Sequence, residues 1–273
     1  MTSAQILSFT TLTYGIAALF YISGLIFKKN IFSIIGTYIT ILAVLLNIIG
    51  IILRWIQSYE MGIGHAPLSN LYESLVFFSF TIGLIYLIIE YQYKKRIVGA
   101  FVLPIAYIAI AYASFSPNKD ITPLIPALKS NWLIAHVFTC FLGYAGFACA
   151  FGLSLMYLIK DNGFISLNFL PDLDFIDELS YQLITFGFLF LTAGIITGAV
   201  WANSAWGAYW QWDPKETWSL ITWFVYAILM HVRMIKGWSG RHIAWLSVIG
   251  FGAVLFTYFG VNLLPGLHSY GKA

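Results

Sequence analysis

The chain has 273 residues, of which 60% are hydrophobic, 18% aromatic and only 9% charged. Soluble domains carry about 25% charged residues, and fourteen bases with eleven acids are too few to coat a water-soluble body of this length. That excludes a soluble enzyme, a disordered chain and a secreted disulfide scaffold, and a net charge of +3 is too small to point to nucleic acid.

An apolar run needs about 20 residues to cross roughly 30 Å of hydrocarbon. Taken in chain order, eight runs qualify: residues 6–27, 31–53, 71–89, 97–114, 131–159, 181–200, 218–234 and 243–261. The first lacks a basic start and is followed by Lys28 and Lys29 rather than a small-residue cleavage site, so it reads as a span and not a leader. None alternates apolar and polar residues as barrel strands do. The expected fold class is therefore all-α: a polytopic integral membrane protein with about eight transmembrane helices, forming a single transmembrane domain over residues 1–273.

Eight spans put both termini on one side, and the bases say which. One set of connections holds Lys28, Lys29, Lys94, Lys95, Arg96, Lys160, Arg233, Lys236 and Arg241; the other, with the termini, holds Arg54, Lys119, Lys129, Lys215 and Lys272. The excess of bases in the first set makes it cytoplasmic. Both termini and the loops 54–70, 115–130 and 201–217 are then expected on the outer face. Cys140 and Cys149 are nine positions apart in one run, on opposite helix faces and about 13 Å apart, too far to bond to each other. They read as packing residues.

Residues 201–223 read WANSAWGAYWQWDPKETWSLITW and hold six of the ten tryptophans. Tryptophan gathers at membrane interfaces, so an enlarged aromatic belt is one reading. A belt spreads over all helix ends, however. Trp separated by Gly207, Ala202 and Ala205 would also form a flat shelf for a large planar ligand. Asp213, Pro214 and Glu216 have the N-cap, N1 and N3 pattern of a helix start, as do Asn70 and Glu73.

An ionisable residue inside a span is a functional candidate by default, and neutral imidazole is a common axial ligand of haem iron. His136 lies about five residues into the fifth run and His268 in the C-terminal tail, both on the side of the Trp loop. They are either a bis-His pair facing the aromatic shelf or a satisfied buried histidine and a solvated one. His231 lies near the cytoplasmic end of the seventh run, with Arg233 beyond it; it is a ligand or a headgroup contact. His65, in the Gly-rich stretch 62–67, is expected to be shaped by its turn, and His242 to contact headgroups.

The core Trp206, Gly207, Tyr209, Trp210, Trp212, Asp213 resembles the "WWD" signature of the haem-handling proteins of cytochrome c maturation. Its continuation, Pro214-Lys215-Glu216-Thr217-Trp218-Ser219, is similar to the CcsA/ResC branch rather than the CcmC or CcmF branches. Further matches are GHAPLSNLYES at 64–74, LPDLDFIDELSYQ at 170–182, GIITGAVWA at 194–202 and GVNLLPGLHSYG at 260–271, so the resemblance covers most of the chain.

The resemblance implies a cytochrome c haem-lyase (holocytochrome c synthase) acting within a complex. It would handle haem b and support thioether attachment to the C-x-x-C-H of an exported apocytochrome c, after moving haem across the membrane with a ResB/CcsB-like partner. The implied ligands are His136 and His268 for an external haem, and His231 for a membrane-embedded haem. The trans ligand of the embedded haem would come from a ResB/CcsB-like membrane subunit. Trp206, Tyr209, Trp210, Trp212 and Asp213 are the implied porphyrin-holding loop, with Arg54 and Lys215 as candidate propionate partners on charge and side. The chain shows no nucleophile of its own, and the reaction would draw on a thiol reductant system. A bacterial cytoplasmic or plastid thylakoid membrane is implied. Two rivals are haem export or delivery to a chaperone without ligation, against which the PKETWS continuation argues, and a b-type electron-transfer subunit. The second expects paired ligands at matched depths, whereas His136 and His231 lie near opposite faces.

Overall fold

The computed structural model describes residues 2–116, 119–163 and 169–264. Among them eight helices are long and apolar enough to cross a membrane. They are α1 (Ser3–Phe27), α2 (Asn30–Glu60), α3 (Leu71–Tyr93), α4 (Gly99–Ser114, whose span is completed by a 3-10 turn from Arg96), α5 (Asn131–Asp161), α6 (Leu173–Trp206), α7 (Pro214–Lys236) and α8 (Arg241–Tyr258). No strand occurs among the described residues. Each expected run coincides with one helix, but several helices outrun their apolar stretch. α2 passes Arg54 and ends at Glu60, and α6 runs from Leu173 to Trp206. Hydropathy stops at the first polar residues, whereas a helix stops only where its backbone bonding fails. For α6 that point is Gly207, which adopts φ +80° and donates its N–H to Asn203 O at 2.9 Å. The connections expected at 54–70 and 201–217 therefore shrink to 61–70 and 207–213.

The helices group into two compact units, one holding α1–α4 and the other α5–α8. The first unit is tied by polar contacts between otherwise apolar helices, as helix association in lipid favours. Asn47 of α2 donates to Ser79 Oγ at 3.0 Å, and Tyr14 of α1 donates to Ser79 O of α3 at 3.1 Å. Near the α3 C-terminus, Glu90 accepts from Thr37, Tyr86 and Tyr21 at 2.6, 2.7 and 2.8 Å, so its buried carboxylate is satisfied. At the opposite end of α3, buried Arg54 and Glu73 pair at 2.8 Å. Asn70 caps α3 by accepting from Glu73 N at 2.9 Å. The Glu73 carboxylate turns to Arg54 and to Ser69 instead of closing a capping box.

In the second unit α5 and α6 approach closely enough that their backbones touch. A Cβ added to Gly143 would lie 2.9 Å from Leu191 N, and one at Gly187 would lie 2.9 Å from Gly143 O. Small residues permit this approach. Cys140 and Cys149 are both buried and free, as their opposite faces predict. Phe147 of α5 stacks on Tyr226 of α7 with centroids 3.5 Å apart. A charged cluster closes the end where α6 begins and α7 finishes. Arg233 pairs with Asp177 at 2.5 Å and Glu178 at 3.2 Å, and Asp177 also accepts from Gly240 N at 2.9 Å.

Candidate functional site

His136 projects from the second turn of α5 toward α6. Its Nδ1 lies 2.8 Å from Gly194 O. A carbonyl only accepts, so this bond places the hydrogen on Nδ1 and leaves the lone pair on Nε2. Trp201, buried on α6, stacks against the ring at 5.9 Å with an interplanar angle of 11°. Trp201 in turn meets Trp206 edge-on at 4.8 Å. An imidazole with a fixed tautomer thus starts a row of aromatic rings that leads to the end of α6.

Beyond Gly207 the chain turns through residues 207–213 and enters α7. Trp210 and Trp212 lie edge to face at 5.7 Å and 89°, and Tyr209 and Trp212 are exposed. Trp212 sits at φ +58°, in the left-handed region. Glu216 holds it there by accepting at Oε2 from the amides on both sides, Gln211 N at 2.8 Å and Asp213 N at 3.2 Å. Asp213 is buried and caps α7: its carboxylate accepts from Lys215 N at 2.9 Å, and with Glu216 it completes a capping box. The aromatic shelf is smaller than the composition of 201–223 implies. Trp218 packs on Phe256 at 4.1 Å, and Trp223 donates to Thr192 Oγ1 at 2.9 Å, so both serve helix packing.

The remaining candidates sort by what already engages them. Arg54 is buried, with Nε on Glu73 and its terminal nitrogen Nη2 donating to the carbonyls of Lys119 at 2.8 Å and Asp120 at 3.2 Å. Those contacts clamp a loop and occupy the guanidinium that charge alone offered to a propionate. Lys215 makes no ion pair among the described residues. His65 is buried, with Nδ1 and Nε2 facing the carbonyls of Ala66 at 2.9 Å and Thr122 at 3.0 Å, so it fastens its turn as expected. His242 is exposed beside Trp238. His231 is also exposed, on the face of α7 that carries Ile221, Phe224, Ile228 and Ile235. His268 lies outside the described residues.

The matching family model is that of the cytochrome c assembly protein, over residues 68–268. The chain belongs to the cytochrome c assembly protein family. Curated relatives named cytochrome c biogenesis protein CcsA agree with this over most of the chain. That of Guillardia theta is 44% identical over 96% of this chain and 94% of its own. That of Mesostigma viride is 41% identical over 98% and 94%, and that of Synechococcus sp. (strain CC9902) 44% identical over 81% of each chain. Among solved structures, a chain titled cytochrome c heme lyase CcmF superposes with a TM-score of 0.73 at 16% identity. It shares the fold over 95% of this chain, which spans about half the length of that one. This assembly protein therefore acts in cytochrome c biogenesis. The site also contains three residues that the motif reading left out of the ligand set: Gly194, Gly198 and Trp201. They form one face of α6 against His136. Their signal lay in the segment GIITGAVWA, where positions 194, 198 and 201 fall at helical spacing.

Proposed function

We propose that this assembly protein is the haem-presenting subunit of a cytochrome c synthetase. It binds haem b at the outer face and supports its thioether attachment to the C-x-x-C-H of apocytochrome c, with a ResB/CcsB-like membrane subunit as partner. The observation that carries the reading is His136. Its Nδ1 is anchored to Gly194 O, which leaves Nε2 as the ligating nitrogen, at the head of the Trp201–Trp206 row. A metal-ligating histidine is normally oriented by such a bond through its other nitrogen.

When bound, haem supplies the vinyl groups that receive the cysteine thiols, and the chain supplies position and electrostatics. His136 and His268 would hold the haem iron, and the histidine of the apocytochrome would replace one of them in the product. Trp206, Tyr209, Trp210 and Trp212 hold the porphyrin face. Asp213 acts through the cap that fixes their turn, and Lys215 is free to meet a propionate. His231 would hold a second, membrane-embedded haem together with a residue of the partner subunit. It lies 17 residues, or about 25 Å, along α7 from Pro214, whereas His136 lies about 8 Å from the start of α5. Two ligands at such different depths suit two stations on a route and not one bis-His electron-transfer site. The bias in basic residues puts the Trp turn outside, in a bacterial cytoplasmic or thylakoid membrane, with a thiol reductant system keeping the cysteines reduced.

The test is co-expression with the ResB/CcsB-like subunit and an apocytochrome bearing C-x-x-C-H. His136→Gly should lose the external haem spectrum and the covalent product, and added imidazole should restore both. A His136→Gly complex that keeps its full haem spectrum and product yield without imidazole overturns the reading.

A further inference from the structure

The ring of His136 lies directly against Gly198 of α6. The three atoms nearest to a Cβ built on Gly198 all belong to the imidazole: Nδ1 at 2.6 Å, Cε1 at 2.8 Å and Cγ at 3.5 Å. At Gly143, by contrast, an added Cβ meets only the backbone of the opposing helix. One turn before Gly198, Gly194 O accepts from His136 Nδ1 at 2.8 Å and from Thr197 Oγ1 at 3.1 Å. One turn after, Trp201 stacks on the ring. Gly194, Thr197, Gly198 and Trp201 thus form a seat for a single side chain, and Gly198 is the part of it that must stay empty.

We propose that Gly198 is a positioning residue for haem ligation. Its lack of a side chain lets the His136 ring lie against α6, so that Nδ1–H meets Gly194 O and Nε2 is presented to the iron. Any Cβ at 198 pushes the ring away from that carbonyl and breaks the bond that fixes its tautomer. The hydrogen bond also raises the basicity of Nε2, and axial-ligand basicity is one of the levers on haem potential. The inference rests on His136 being a ligand.

The test uses the complex with its partner subunit and compares Gly198→Ala, His136→Gly and the double substitution, the last two with added imidazole. Readouts are haem affinity, the reduced absorption bands and the midpoint potential. Loss of an orienting contact of this kind typically weakens metal binding by 10- to 100-fold, so Gly198→Ala should bind external haem at least about tenfold more weakly, with displaced bands and potential. Untethered imidazole is not held to the seat, so the single His136→Gly and the double variant should then behave alike. Wild-type affinity, bands and potential in Gly198→Ala overturn the proposal. So does a double variant that falls below His136→Gly by the full Gly198→Ala loss. Should Gly198→Ala not accumulate, its return in the double variant supports a clash with the ring, and its continued failure assigns Gly198 to helix packing. Haem retention in His136→Gly alone is a different failure: it removes the ligand reading without involving position 198.

Discussion

Among the described residues, Trp212 differs from the other non-glycine residues with a left-handed backbone. Lys28 and Lys94 share that conformation, but each is a helix C-cap, where it is ordinary. Trp212 follows no helix, and its indole is 69% exposed, so packing does not offset the strain of about 1–2 kcal/mol that a bulky residue meets there. Strain of this kind concentrates where function requires a fixed side chain, and here it turns an indole outward beside Trp210. Trp212→Asn separates the two roles, because Asn tolerates the left-handed region. The variant should match or exceed the native stability by about 1 kcal/mol, read as an equal or higher Tm, while haem retention falls. A lower Tm with unchanged haem would mean that the indole is structural.

The turn that carries Trp212 depends on the first residues of α7. Glu216 Oε2 satisfies the amides of Gln211 and Asp213, while its other oxygen is buried with no hydrogen-bond partner among the described residues. Glu216→Ala leaves two loop amides without an acceptor, at about 1–3 kcal/mol for each one that stays buried. Glu216→Gln keeps one oxygen for both amides and puts its NH2 where the unpartnered oxygen stood. Thermal unfolding and haem retention should therefore both drop in Glu216→Ala and stay near wild type in Glu216→Gln. This cap was readable from Asp213-Pro214-Lys215-Glu216, since a capping box is a matter of local spacing. The eight helices were readable for a similar reason, as each is a continuous apolar stretch. The ends of α2 and α6 were not, because Arg54 and the polar residues around Asp174 interrupt hydropathy without interrupting backbone bonding. Nor could sequence say what orients His136. The spacing of Gly194, Gly198 and Trp201 marks one face of α6, but nothing local pairs that face with His136, whose partner carbonyl lies 58 residues away on a second helix.

Across the second unit the polar groups are distributed unevenly along the helices. The Trp turn and the α7 cap stand at one end of α7, and Arg233 with Asp177 and Glu178 at the other. His231 lies about one turn inside the charged end, yet it does not join that cluster. It lies on the face of α7 formed by Ile221, Phe224, Ile228 and Ile235, which is exposed in this chain and apolar except for the imidazole. A polar side chain on a surface meant only for hydrocarbon would be unfavourable, and an internal structural role would place it among α5–α8. The proposed ligand role, completed by another subunit, fits both facts, as would a headgroup contact near the end of the span. His231→Ala should then leave the stability of the isolated chain within about 0.5 kcal/mol, as surface substitutions do. In the complex with the ResB/CcsB-like subunit the same variant should lose embedded haem while external haem loaded directly at His136 is retained. Thermal unfolding of the isolated chain and haem spectra of the complex measure the two effects separately. A fall of several degrees in the isolated chain would make His231 a packing residue, and loss of directly loaded external haem would tie it to the same site as His136.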